Sequence, residues 1–247
     1  MFARWVAIVL LCVGCVGGKK VTTDQPLPGW VDDPDSVRYE LIEHFLEADD
    51  ASRALEVIRV MREERGDDPK LDLYHGQAFR QQGLLDDSVR LLMSAKDKLP
   101  RDPAVHAQLC IVYADKRDVE AAVGACARSV DLDASQADVW NNLGFLHLGQ
   151  ERYAEAVDTL QRAVDLDGTV VRYRNNLAIA LVCAGMEARG LNMFLTMHSR
   201  ADANYNVGVA LERIGAHDEA MRYYQTAIEY NANHESAQAA LASVSAD

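Results

Sequence analysis

The sequence predicts an all-α solenoid of about six helix-turn-helix repeats closed by a C-terminal helix. Three observations carry that reading. Small and bulky residues recur at fixed places of a 34-residue window. The strong helix formers Ala, Leu, Glu and Arg dominate the composition. Aromatic residues make up only 7% of the 247 positions, so sheet is not expected.

The clearest window is 137–170, ADVWNNLGFLHLGQERYAEAVDTLQRAVDLDGTV. Trp140, Leu143, Gly144, His147, Tyr153, Ala156, Leu160 and Ala163 draw two amphipathic helices, over about 138–149 and 153–165, joined by the turn Gly149-Gln150-Glu151-Arg152. Gly144 and Ala156 are small where the helices cross, and Trp140, Leu143 and Leu160 fill the space around them. This pattern resembles the tetratricopeptide repeat (TPR), a helical hairpin of period 34, with His147 where that family has an aromatic or aliphatic residue. The resemblance implies a right-handed superhelix of about thirteen helices. First helices would line a concave groove and second helices the convex side.

The same frame lays windows over 35–68, 69–102, 103–136, 171–200 and 201–234. Pro69 and Pro103 each follow an Asp, a pairing suited to the N-cap and first turn of a helix. The window 35–68 is the weakest match. The window 171–200 aligns through Leu177, Ala178 and Phe194 but lacks four residues, about one helical turn, near its end. Residues 235–247 read as a short capping helix and tail, of the kind that keeps an open array soluble.

Ahead of the repeats, residues 1–14 combine Arg4 with an apolar run and read as a signal peptide, too short for a mature membrane span. Gly14 before Cys15 resembles the bacterial lipobox, which implies cleavage before Cys15 and its acylation, palmitate included; Cys12 departs from the leucine usual in that motif. Residues 15–34, with Gly17-Gly18, Lys19-Lys20 and three prolines, read as the lipidated N-terminus and a flexible tether. Val16 after the cysteine resembles lipoproteins of the outer membrane. The resulting location is the cell envelope, lipid-anchored at the outer membrane and facing the periplasm.

Charge narrows the partners. With 25 basic and 38 acidic residues the formal charge is −13, which argues against nucleic acid and against anionic bilayer surfaces. The seven histidines are spread along the chain, and no phosphate loop, nucleophile elbow, CxxC or HExxH spacing occurs. Hence no enzyme activity, metal, cofactor or small-molecule substrate is expected. Asp131 with Asp133 and Asp165 with Asp167 recur at ends of second helices and read as parts of the repeat.

The TPR resemblance implies a peptide-binding groove. Its sixth place reads Gln108, Asn142, Asn176 and Asn206 in four consecutive repeats, a ladder of carboxamides that each donate and accept. Asn141, Asn175, Arg172, Tyr205 and Arg213 are neighbouring groove candidates, with Phe145, Ile179, Val182 and Val209 as an apolar floor. Met186, Met193 and Met197 cluster in the shortened repeat as gap fillers. Cys110 and Cys126 face each other across one hairpin, either as a disulfide or as two small buried thiols, and Cys183 is left unpaired at the groove edge.

Function is therefore read as a membrane-anchored protein-interaction adaptor. The stretch from Asn141 through Leu241, with NNLGFLHLGQ, YRNNLAIAL and ADANYNVGVALERIG, resembles TPR lipoproteins of tight-adherence (Flp) and type IV pilus assembly, which implies a secretin or another pilus or secretion component as partner. The alternatives are a lipoprotein scaffold for envelope or peptidoglycan enzymes and a structural homo-oligomer.

Overall fold

A computed structural model describes residues 34–245. The expected signal peptide, the lipidation site Cys15 and tether residues 15–33 lie outside them. Among the described residues there are thirteen α-helices and no strand, as the all-α reading requires. They fall into two compact units that meet in sequence at Lys98 and Leu99. The first holds α1 (Pro34–Glu47), α2 (Ala51–Arg65), α3 (Pro69–Gln81) and α4 (Leu85–Lys98). The second holds α5 (Pro103–Asp115), α6 (Val119–Leu132), α7 (Ala137–Gly149), α8 (Tyr153–Leu166), α9 (Val171–Cys183), α10 (Glu187–Leu195), α11 (Arg200–Arg213), α12 (His217–Tyr230) and α13 (Glu235–Val244).

Local chemistry starts these helices. Asp68 and Asp102 accept hydrogen bonds from the backbone N–H groups of Lys70 and Ala104, both at 2.9 Å, with proline in the first turn of α3 and α5. Asp50, Asp118 and Ser199 cap α2, α6 and α11 in the same manner. The second acid of each pair at the ends of α6 and α8 is a turn former. Asp133 and Asp167 each accept from the backbone N–H two residues on, at 2.9 Å.

The turn inside each hairpin has one left-handed residue at the fifteenth place of every window: Asp49, Gly83, Arg117, Glu151, Gly185 and Gly215. In the fourth window that residue is Glu151 (φ 60°), whereas Gly149, the glycine of the expected turn, still belongs to α7. Three of the six positions hold the geometry without glycine, at a cost of roughly 1–2 kcal/mol each. The hairpin packing has to supply that energy.

It does so at a crossing repeated down the chain. The eighth place of the first helix meets the twenty-fourth place of the second. A Cβ added to Gly76 would stand 2.7 Å from Leu92 Cγ, one on Gly144 2.4 Å from Leu160 Cγ, and one on Gly208 2.4 Å from Tyr224 Cε1. Leu92, Leu160 and Tyr224 are fully buried. In the third window the same two places are Cys110 and Cys126, which the structure joins as a disulfide with Cα atoms 4.9 Å apart. A covalent bond therefore stands where the second, fourth and sixth hairpins seat a large side chain against a glycine.

In the first unit Ile42, Ala54, Ile58, Met61, Leu71 and Ala78 form one core, so the weakest-matching repeat is nevertheless packed. Asp72 of α3 is buried nearby. It accepts from Arg62 Nη2 at 2.8 Å and Ser94 Oγ at 2.9 Å, with Lys98 Nζ at 3.5 Å. These bonds tie α2 and α4 to α3.

In the second unit, α13 covers the end of the stack through Ala237 and Val244, with His234 as its N-cap. The methionines of the shortened repeat fill gaps, as expected. Met193 and Met197 pack on the core around Phe194 and Tyr224, and Met186 on that around Leu160 and Leu177. Cys183 departs from expectation: it is buried, with its thiol 3.6 Å from the Ala210 carbonyl, and it does not lie at an open edge.

Candidate peptide-binding groove

Within the second unit the first helices α5, α7, α9 and α11 repeat one face. Their ninth places are Ile111, Phe145, Ile179 and Val209. Phe145 is 57% exposed and Val209 44%, large values for apolar side chains on a packed helix. Ile111 and Ile179 are half-buried beside them in the row. Ile111 was missed in the sequence reading, although its place in the window gives the same signal as Phe145.

Beside this row run the sixth-place carboxamides Gln108, Asn142, Asn176 and Asn206, all half-buried. Gln108 Oε1 is enclosed with no hydrogen-bond donor among the described residues. Asn176 Nδ2 donates to Asn141 Oδ1 at 2.8 Å, linking α9 to α7. This bond corrects the expectation for Asn141. The side chain is 2% exposed and acts as a bracket between two first helices, because a buried amide is stable only when its polar atoms are bonded.

Three other candidates are also engaged within the fold. Asn175 Oδ1 lies 3.4 Å from His198 Nε2. Tyr205 packs between Tyr224 and His234, at ring-centroid distances of 5.8 and 5.1 Å. Arg213 Nη2 lies 3.4 Å from the Leu148 carbonyl oxygen. Arg172 is exposed, with its guanidinium over the Tyr173 ring. Val182 of α9, expected in the floor, is fully buried against Gly190 of α10. What remains open is a narrow strip, apolar on one side and amide on the other.

Its charges are largely matched locally. Asp202 lies 3.2 Å from His234, and the hydroxyl of Ser199 holds its carboxyl below the usual carboxylate range, with help from His234. Glu212 accepts from the Tyr224 hydroxyl at 2.6 Å. Burial lowers the pKa of His147, and its Nδ1 has no partner among the described residues. His147 is a core residue facing away from the strip. No group of three or more metal-ligating side chains occurs among the described residues, and no helix there is long and apolar enough to cross a membrane.

Residues 137–169 and 201–234 each match a family model of the tetratricopeptide repeat. The chain carries tetratricopeptide repeats. Solved TPR structures share the fold. The crystal structure of YrrB, "a TPR protein with an unusual peptide-binding site", superposes with a TM-score of 0.62 at 21% identity, covering 74% of this chain and 96% of that one. A crystal structure of MamA gives 0.55 at 22% identity, covering 66% and 91%. MamA from Desulfovibrio magneticus RS-1 gives 0.56 at 17% identity, covering 65% and 91%. No curated protein sequence matches the chain. In TPR terms, the open strip is the first-helix face of repeats three to six.

Proposed function

We propose that the chain is a protein-interaction adaptor whose second unit binds an extended peptide along the strip. The observation that carries this reading is the apolar row Phe145–Ile179–Val209, exposed at Phe145 and Val209 and half-buried at Ile179, beside sixth-place carboxamides on the same helices. An apolar row gives affinity through buried area, and amides satisfy a peptide backbone without demanding particular side chains. That YrrB has a peptide-binding site supports the same reading.

Spacing narrows the ligand. Packed neighbouring helices stand ~8–10 Å apart. A polyproline II strand returns to the same face every third residue, ~9 Å along its axis. A β-strand returns every second residue, ~6.6 Å, which fits the row poorly. The expected ligand is therefore an extended segment with an apolar side chain at every third position. Fluorescence anisotropy with the full chain should show such a peptide binding more tightly than the same composition with apolar residues at every second position. Phe145→Ala should weaken it by about 2 kcal/mol, near 30-fold. Asn206→Ala removes a ladder amide while sparing the bonds that Asn141 makes with Asn142 and Asn176. Equal affinity for both peptides, unaffected by these substitutions, would remove the groove reading.

The finer proposal places this adaptor in the bacterial envelope, held by acylated Cys15 and assisting assembly of a pilus or secretion machine by binding a component such as a secretin. Its support is the signal-like run 1–14, the lipobox-like Gly14-Cys15 and the resemblance of the repeats to pilus-assembly lipoproteins. Mass spectrometry of the mature protein should find an N-terminal acylated Cys15, and Cys15→Ala should release the chain from membranes. An unmodified N-terminus in wild type would refute the anchor.

A further inference from the structure

The shortened fifth repeat interrupts the 34-residue spacing, and its effect is visible in the helices that follow. Helix α10 has nine residues where α8 and α12 have fourteen. It lies tight on α9, since a Cβ added to Gly190 would stand 2.4 Å from Val182 Cγ2 and 2.9 Å from the Ala178 carbonyl oxygen. Helix α11 then starts at Arg200. From its C-terminal turn Arg213 reaches the carbonyl of Leu148, 65 residues and two repeats earlier.

The acceptor suits a cation. Leu148 lies in the last turn of α7, where carbonyls carry partial negative charge; its oxygen accepts from the Glu151 N–H at 3.2 Å and has a second lone pair for a basic side chain. The same corner includes the end of α9 and the start of α8. Burial raises the thiol of Cys183 and the phenol of Tyr153 above their ordinary values, and the positive charge of Arg213 opposes both shifts. One guanidinium thus faces elements of three successive repeats. One repeat earlier, the equivalent thirteenth place is Cys183, which is too short to make such a reach.

We infer that the shortened repeat and Arg213 form a clamp that fixes the spacing of α7, α9 and α11, so that Phe145, Ile179 and Val209 are held as a preset row. Arg213 is in this account a positioning residue that need not touch the peptide. For its binding consequence the inference rests on the groove reading, and for its geometry it does not. A preset row lowers the ordering cost of binding, which matters most for a ligand long enough to span all three apolar residues.

The test uses the full chain with nitroxide labels on ketone-bearing amino acids at Gly149 and Asp218, leaving the native cysteines untouched. A side chain at Gly149 meets nothing within 4 Å, and Asp218 is exposed on α12. Pulsed dipolar spectroscopy should give one narrow distance in wild type. Arg213→Ala should broaden or displace it by ~2 Å, the scale of helix shifts in packed proteins. Arg213→Lys, which keeps a cationic donor, should stay narrow, and circular dichroism should show all three folded. The same distribution in wild type and Arg213→Ala would overturn the clamp. In unlabelled protein, Arg213→Ala should weaken a peptide with three apolar residues about tenfold and leave one with a single apolar residue unchanged. Distance broadening with unchanged affinity for both peptides would keep the clamp and sink the groove reading.

Discussion

Leu160→Ala is expected to lower the stability of the fourth hairpin by about 2–5 kcal/mol, among the largest losses any single substitution in the second unit should cause. Leu160 is fully buried and fills the hollow left by Gly144 across the α7–α8 crossing. Removing its side chain leaves a cavity that the backbone cannot close, because Ala156 already brings the helices together on the same face. Gly144→Ala alone should also destabilise, by about 1–3 kcal/mol, since the new methyl would stand 2.4 Å from Leu160 Cγ and 2.8 Å from Thr159 Oγ1. The pair together should cost less than the sum, because the added methyl enters part of the vacated space. Hydrogen exchange of residues 137–166 measures this locally, which suits a repeat array whose units need not unfold together. Strict additivity would mean that the eighth and twenty-fourth places do not share one packing contact.

Asp72→Asn should be the corresponding weak point of the first unit, with a loss of about 2–4 kcal/mol at neutral pH; the figure sits below that of a fully buried pair because Arg62 is one-third exposed. Burial pushes the Asp72 carboxyl up, but hydrogen bonds from Arg62 and Ser94, with the charges of Arg62 and Lys98, outweigh it and hold the group below the usual carboxylate range. A depressed folded value means that the carboxylate stabilises the fold fully above the unfolded value of about 3.9, and that this contribution fades as pH falls through the folded value. Wild type and Asp72→Asn should therefore differ most at neutral pH and converge below about pH 4. Exchange protection of residues 69–81 across that range provides the measurement. A difference that grows on acidification would contradict the sign of the coupling.

The strip itself was only partly legible. Phe145 and Val209 stand out in the sequence as apolar residues at one repeated place, and the structure leaves both exposed. The sixth-place amides were legible for the same reason. Asn175 and Tyr205 meet His198 and His234 at the far ends of their own windows. Asn141 and Arg213 were not legible, because each is engaged by a residue of another repeat, Asn176 and Leu148 respectively. No periodicity within one window encodes those partners.

The sequence by itself determined the hairpins. Crossing residues at the eighth and twenty-fourth places, Asp caps before Pro69 and Pro103, and turn lengths all act over a few residues or between two helices joined by a short loop. Their energetics are therefore readable from spacing. Only the tertiary structure decided which polar groups remain available to a ligand. That depends on how far one repeat lies from the next, and between the fourth and sixth repeats this distance leaves Arg213 3.4 Å from the Leu148 carbonyl oxygen. Distances between repeats sum many small rotations, whereas the helical period registers only one hairpin at a time.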